Sequence, residues 1–292
     1  MTILIAGATG FLGSYLLKAF VKNGHEVIAI KRSTSNTYRI QEHLNKCTLY
    51  DTETIKIKTI FENHQIDIVI NTVTNYGRKD NSVSSIVGTN LMFGLELLEE
   101  SLNANVTAFV NTDTLLERNI NAYALSKAQF VDWMAFFSTR NTKMINIKIE
   151  HMYGPLDDEN KFIYWLINQL KQNVEKIDLT SGIQKRDFVY IDDIASAYGT
   201  IIKNVKSFSN YEEFELGSGS SIELKEFVGM IVEALSESQT INTNLNFGAI
   251  EYRAQENMHM QANISKLKQL GWKPQVSIQD GITKLINGEK VK

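Results

Sequence analysis

The sequence predicts a doubly wound parallel α/β sheet joined to a smaller α/β lobe. Three observations predict it. Short β-branched runs alternate with longer helical patterns through the first half of the chain, the order that puts helices on both faces of a parallel sheet. A glycine-rich turn, Gly7-Ala8-Thr9-Gly10-Phe11-Leu12-Gly13, stands between the first strand and the first helix. The chain has 292 residues, 43% of them hydrophobic, enough for a core of that size.

The elements follow in order. Residues 2–6 read as a strand and 11–22 as a helix with Leu12, Leu16, Ala19 and Phe20 on one face, stopped by Asn23-Gly24. Strands are expected at 26–30, 47–50, 67–71, 106–111 and 144–149, and helices at 54–63, 84–101 and 122–138. Beyond them the pattern is less regular: helices at 161–173 and 191–203, a strand at 187–190, and small elements at 214–216, 224–235 and 264–270. We expect a dinucleotide domain over 1–150, to which segments near 183–205 return, and a lobe formed mainly by 151–292. A sheet of this kind binds its ligand at the C-terminal ends of the strands.

Composition narrows the function. With 33 acidic residues against 30 lysines and arginines, the net charge of −3 gives no electrostatic case for nucleic acid or an anionic membrane. No apolar run approaches the ~18–20 residues of a membrane span, and the opening residues lack a secretory leader's pattern, so a cytoplasmic protein is expected. The single cysteine, Cys47, excludes an internal disulfide and a cysteine-based zinc site; it is expected to begin a strand as a small core residue. The five histidines never fall at ligand spacing, so no metal is expected. Only two prolines occur, Pro155 and Pro274, so proline-rich linkers are absent.

The glycine turn suits a dinucleotide. Gly7, Gly10 and Gly13 permit a tight turn and a close approach to a pyrophosphate, which then meets the helix N-terminus at Phe11 and Leu12. At the second strand's end, Ala29-Ile30-Lys31-Arg32-Ser33 has no acid for a ribose 2′-hydroxyl. Lys31 and Arg32 suit a 2′-phosphate, which favours NADPH over NADH; the plainer alternative is a solvated basic strand end. Tyr123 and Lys127 lie one helical turn apart on one face. An ammonium beside a phenol favours the phenolate and makes the tyrosine an acid–base group near neutral pH. The preceding strand ends Asn111-Thr112-Asp113, delivering the Thr112 hydroxyl to the ligand edge.

These motifs together resemble the extended short-chain dehydrogenase/reductases, the nucleotide-sugar epimerase/dehydratase family with its Rossmann-type sheet. The resemblance covers nearly the whole chain. Ile149-Glu150-His151-Met152-Tyr153-Gly154-Pro155, Glu159-Asn160-Lys161-Phe162-Ile163, Gln184-Lys185-Arg186-Asp187-Phe188-Val189-Tyr190-Ile191-Asp192-Asp193 and Gly271-Trp272-Lys273-Pro274 resemble its later motifs, in order. The resemblance implies Thr112, Tyr123 and Lys127 as catalytic residues. It implies Asp51 near the adenine, Asn90 as support for the active site, and Thr52 and Thr72 in the cofactor set. Thr74-Asn75-Tyr76-Gly77-Arg78-Lys79 and Phe247-Gly248-Ala249-Ile250-Glu251-Tyr252-Arg253 resemble the family's 4-ketoreductases of deoxysugar biosynthesis, which serve surface polysaccharides such as the lipopolysaccharide O-antigen. By that resemblance Tyr76, Arg78, His151, Lys161, Arg186, Arg253 and Glu256 are candidate substrate contacts: Lys161, Arg186 and Arg253 for a diphosphate, His151 as a hydrogen-bonder, and Glu256 for a ribose hydroxyl or to neutralise Arg253.

The reaction expected is NADPH-dependent reduction of the C4 ketone of a CDP- or dTDP-linked 4-keto-deoxyhexose. The family's dehydratases carry Thr-Asp-Glu where this chain has Thr112-Asp113-Thr114, which argues against elimination. A C4 epimerase or a dehydratase is the alternative on the same scaffold, and a cofactor-sensing binding protein the alternative from another class. The stretch from Thr112 to Tyr123 is short for the family, so the active-site rim is altered. The helix at 122–138 is apolar around more than one stripe, with Phe130, Val131, Trp133, Met134, Phe136 and Phe137, and the helix at 84–101 adds Met92, Phe93 and Leu97. A two-fold homodimer through these helices is expected.

Overall fold

The structure, a computed structural model, describes residues 1–78, 82–253 and 255–288. Lys79 of the segment quoted above lies outside them. The chain divides into two compact units: Met1–Ile149 with Ala195–Glu215 and Ser265–Trp272, and Glu150–Ile194 with Leu216–Ile264 and Lys273–Lys292. The segments returning to the first unit are thus 195–215 and 265–272, not 183–205; residues 183–194 belong to the second.

The first unit holds strands β1 (Thr2–Ala6), β2 (Glu26–Lys31), β3 (Thr48–Asp51), β4 (Ile68–Asn71), β5 (Ala108–Thr114) and β6 (Lys143–Ile149), with strand Tyr211–Leu216 at one edge. From that edge the order is β6, β5, β4, β1, β2, β3. Pairing among these six is parallel throughout. Ile3, Leu4 and Ile5 are completely buried, because a parallel sheet is covered on both faces and its strands read as unbroken apolar runs. The covers include α1 (Phe11–Lys22), α2 (Ile57–Asn63), α3 (Val83–Val87), α4 (Phe93–Asn103) and α5 (Ala122–Phe137). Phe109 of β5 meets Phe130 of α5 at 5.9 Å between ring centroids, in a core that also takes in Leu97 and Met134. Leu97 is therefore core, whereas Met92 is exposed.

Several expectations need correction. The segment 54–56 is not helical: the Thr54 and Ile55 amides both donate to Asp51 O, closing a turn that delays α2 to Ile57. Cys47 follows a 3₁₀ helix, Tyr38–Lys46, that the periodicity does not reveal. It is half-buried, one residue ahead of β3, and not a core residue. Between α3 and α4 the helix widens into a π turn over Gly88–Met92.

The second unit is built from short pieces: His151–Tyr153 paired parallel with Phe188–Tyr190, Lys185–Arg186 antiparallel with Ile222–Glu223, and Lys176–Leu179 parallel with Asn244–Phe247. Helices Phe162–Lys171, Leu224–Ser236 and Ile278–Gly288 complete it; of these the last went unread in the sequence. Phe188 and Phe227 stack at 3.7 Å. Fully buried Asp187 accepts from the Ser218, Gly219 and Ala262 amides and from the Ser218 hydroxyl. Among the described residues no helix is long and apolar enough to cross a membrane.

Candidate active site

The first unit gathers its candidate residues at the carboxyl ends of its strands. Gly7 follows β1 with φ +83°, and the Gly10 amide donates to Gly7 O at 2.9 Å. A Cβ on Gly7 would stand 2.6 Å from Thr72 Oγ1, and one on Gly13 would stand 2.2 Å from Gly7 O. The turn thus excludes side chains at both positions and presents bare backbone. Gly10 caps α1 with no side-chain bond, and no acid occupies the first turn, so the positive end of the helix is unopposed by carboxylates of its own. Phe11 and Leu12 are buried beneath the turn. Thr72 is spent locally: its hydroxyl donates to Ala6 O at 2.8 Å, tying β4 to β1.

At the ends of β2 and β3, Lys31 Nζ pairs with Asp51 Oδ2 at 3.2 Å. The Glu53 amide, the Ser33 hydroxyl and Lys31 hold the Asp51 carboxyl below its usual range. Thr52 donates its hydroxyl to Lys31 O. Of the two cations expected at this strand end, only Arg32 has an exposed guanidinium with no side-chain partner among the described residues. A further cation, missed in the sequence because its 3₁₀ helix was missed, stands nearby: Arg39 Nη1 lies 3.4 Å from Thr9 O of the glycine turn.

Asn121 caps α5, accepting from the Ala124 amide at 2.8 Å, and so fixes the turn that carries Tyr123 and Lys127. Lys127 is buried; its Nζ donates to Thr112 O at 2.7 Å and lies 3.4 Å from Val73 O. Burial lowers its ammonium to about 8, with Asp113 pulling upward. Burial likewise pushes the Tyr123 phenol well above its usual value, Tyr76 and Asp113 add to that, and the Thr114 and Thr74 hydroxyls pull the other way. The expected acidification of Tyr123 by Lys127 is not found, because the ammonium turns to the backbone carbonyls. Tyr76 leans on the Tyr123 ring at 5.1 Å, and the Arg78 guanidinium lies 5.3 Å from the Tyr76 centroid. Asn90, from the π turn, accepts from the Asn75 amide at 2.7 Å and donates to Asn75 O and Ser126 Oγ. It supports the loop after β4 from within.

Thr112 does not join Tyr123. Its Oγ1 lies 2.7 Å from the hydroxyl of Tyr198, a fully buried residue of helix Ile191–Asn204. Tyr198 carries no signal of such a role in the sequence, since 86 positions separate it from Thr112.

In the second unit, two of the three candidate diphosphate cations already hold acids. Lys161 Nζ pairs with buried Asp157 at 2.7 Å. The buried Arg186 guanidinium pairs with Glu256 and also donates to Lys185 O at 2.8 Å. Glu256 thus neutralises Arg186 rather than Arg253. The Arg253 side chain is exposed and has no partner among the described residues. His151 Nδ1 bonds the buried Glu150 carboxylate at 2.8 Å, leaving Nε2 as its outward-facing polar atom. Tyr252, unassigned in the sequence, ties the loop before Arg186 by accepting from the Ile183 amide and donating to Gln184 Oε1.

The chain is 30% identical over 292 aligned residues to CDP-abequose synthase of Salmonella typhimurium, covering 97% of each chain. It is 32% identical to CDP-abequose synthase of Salmonella muenchen, covering 98% of this chain and 97% of the other. The crystal structure of UDP-glucuronic acid 4-epimerase from Bacillus cereus in complex with UDP-glucuronic acid and NAD superposes with a TM-score of 0.84 at 20% identity, covering 99% of both chains. The family description "NAD dependent epimerase/dehydratase family" matches residues 3–217, and with the two synthases it establishes that the chain belongs to that family.

Proposed function

We propose that the protein reduces the C4 ketone of a nucleotide-linked 4-keto-deoxyhexose, with NADPH as reductant, in deoxysugar biosynthesis for a surface polysaccharide. The observation that carries this reading is the Tyr123–Lys127 pair on α5, with Lys127 anchored on Thr112 O at the end of β5. Similarity to the two CDP-abequose synthases supports a nucleotide-sugar substrate, and Thr114 in place of the dehydratase glutamate supports reduction over elimination.

The glycine turn, whose Gly7 and Gly13 leave no room for a Cβ, fits a dinucleotide pyrophosphate. Once bound there, the cofactor supplies a hydride. Tyr123, kept protonated by burial, gives its proton to the carbonyl oxygen as negative charge develops on it. Lys127, whose ammonium is turned to Thr112 O and Val73 O, has one proton left with which it would hold a ribose hydroxyl of the cofactor. A hydroxyl at the end of β5 steadies the developing alkoxide. Arg32 and Arg39 are the cations we assign to a 2′-phosphate, and Arg253 with His151 to the sugar nucleotide. The protein works in the cytoplasm as a homodimer through α5 and the α3–α4 helix.

The test is aerobic mixing of NADPH with CDP- and dTDP-linked 4-keto-6-deoxyglucose. Absorbance at the reduced nicotinamide band should fall with the wild type, and Tyr123→Phe should cut the rate ~10²–10⁴-fold. Unchanged turnover by Tyr123→Phe would refute the assignment. The Lys31–Asp51 pair keeps alive a second reading, a C4 epimerase that holds NAD; it predicts no net NADPH consumption and tighter binding of NADH than of NADPH.

A further inference from the structure

We infer that Lys31 sets the choice between NADPH and NADH without touching the 2′-phosphate, by cancelling the charge of Asp51 beside it. This deepens the proposed use of NADPH and rests on it.

The pair stands where the adenosine end of a dinucleotide must lie. Ala6, the last residue of β1, is opposite Ile30 of β2, and Lys31 is opposite Asp51 of β3. Lys31 and Asp51 are thus level with Gly7, where the glycine turn begins, one and two strands away from it. Neighbouring strands lie ~4.8 Å apart, which puts the two backbones ~5 and ~10 Å from the turn that fits the pyrophosphate. In sheets of this kind the ribose beside that pyrophosphate lies over the end of the second strand, where an acid selects NAD and a cation NADP.

Here the acid comes from β3, and it is held in place. Asp51 Oδ1 accepts from the Glu53 amide at 3.0 Å, and Oδ2 accepts from Lys31 Nζ at 3.2 Å. Donors on both oxygens favour the ionised carboxylate. Left unbalanced at this edge, that carboxylate would accept from ribose hydroxyls and repel a phosphate monoester, which carries nearly two negative charges. It would select NADH. Lys31 removes that preference.

The geometry of Lys31 suits a neutralising role better than a gripping one. Its Nζ donates to Asp51 and also to Arg32 O at 3.1 Å, which uses two of an ammonium's three protons. Its side chain is only 16% exposed. The strand ends that carry the pair are tied together, since the Thr52 amide and hydroxyl both donate to Lys31 O, at 2.9 and 3.2 Å. Arg32 is placed differently. Its amide donates to Ser35 Oγ at 3.2 Å and its carbonyl accepts from the Ser35 amide at 3.0 Å, a closed turn that fixes its backbone. Its guanidinium is exposed, and a guanidinium can take a phosphate in bidentate fashion. The work is therefore divided: Arg32 attracts the phosphate, and Lys31 silences the acid that would reject it.

The experiment titrates the purified protein, freed of bound nucleotide, with NADPH and with NADH, and reads the ratio of the two dissociation constants by nicotinamide fluorescence. The ratio cancels any contact that both cofactors share, such as one between Asp51 and the adenine. The wild type should prefer NADPH. Lys31→Met should move the ratio toward NADH by about tenfold or more. Lys31→Gln, which keeps a donor but not the charge, should do the same, and thermal melting verifies that both variants fold. Adding Asp51→Asn to Lys31→Met should bring the ratio back to within about threefold of wild type. Arg32→Ala should lose the preference whether or not Asp51→Asn accompanies it. If Lys31 gripped the phosphate itself, Asp51→Asn would not rescue Lys31→Met. That result, or an unmoved ratio in both Lys31 variants, overturns the inference and leaves reduction by NADPH standing. A wild type that binds NADH more tightly overturns the inference and the NADPH reading together. Rescue by Asp51→Asn in a protein that reduces neither CDP- nor dTDP-linked 4-keto-6-deoxyglucose would refute the reduction and uphold the charge balance.

Discussion

Lys127 stands where fold stability and chemistry oppose each other. Burial lowers its ammonium from the ordinary 10.5 to about 8. An unfolded chain returns it to the ordinary value, so between those two pH values the unfolded state binds the extra proton and stability rises with pH. Below about pH 8 both states are protonated and the folded state bears the whole penalty. Lys127→Met removes it. The variant should be inactive yet more stable than wild type at pH 7 in urea denaturation, and the advantage should fade as pH approaches 10.5. A variant that unfolds at lower urea than wild type at pH 7 contradicts this. Residues of this kind show how far the site could be read from the sequence. Tyr123 and Lys127 were legible because their relation is local, one helical turn. The Thr112–Tyr198 and Arg186–Glu256 contacts were not: 86 and 70 positions separate the partners, and no periodicity records where a hydroxyl or a guanidinium finds its mate.

Among the elements, the helix after β4 has the most to do with the site. Its apolar spacing predicts one helix over 84–101, and the chain forms α3 and α4 joined by a π turn. A π turn adds a residue to one loop of the helix without changing composition, so the pattern cannot announce it; such turns cluster at functional sites. This one aims Asn90 inward at Asn75 and Ser126. Asn90→Leu removes the amide group at its centre and leaves the Asn75 amide without its acceptor. It should cost about 1–3 kcal/mol of stability, visible as a lower urea midpoint, and speed hydrogen exchange across 72–78. Equal protection there in both proteins would show that the loop holds itself. The glycine turn was fully legible by contrast, because strand, glycines and helix are contiguous. Gly13→Ala would drive a methyl to 2.2 Å from Gly7 O. The turn must then open, and NADPH binding by fluorescence should fall at least tenfold; unaltered binding would mean that the cofactor does not use this turn.

The whole molecule is a chain that crosses repeatedly between its two units, at 149, 194, 215, 264 and 272. The first crossing is marked by the Tyr-Gly-Pro segment that ends at Pro155, and the last by the Trp-Lys-Pro turn at Pro274. The others fall inside or beside regular elements, so composition gave no boundary and the returning segments were misplaced. What the sequence did disclose at this scale is surplus apolar surface. On α5, Phe130 and Met134 are spent on the core, while Trp133 and Phe136 keep 43% and 68% of their surface exposed. Trp133, Phe136 and Phe137 pack against one another at 5.1 to 6.3 Å, Trp133 stacked on Phe137 and Phe136 edge-on to both, and Met92 of the neighbouring helix is 58% exposed. An ordered aromatic cluster of this kind on an exposed surface marks a contact site, and aromatic anchors carry most of an interface's energy. A second copy of the chain is the occupant we propose, because a two-fold axis lets the same patch serve both sides. Phe136→Glu buries nothing new within one chain and removes nothing from its core, so the variant should melt near the wild-type temperature. In sedimentation at micromolar concentration the wild type should run as a dimer and Phe136→Glu as a monomer. A wild-type monomer under those conditions would refute the homodimer, and a Phe136→Glu dimer would move the interface elsewhere and leave the aromatic cluster to another partner.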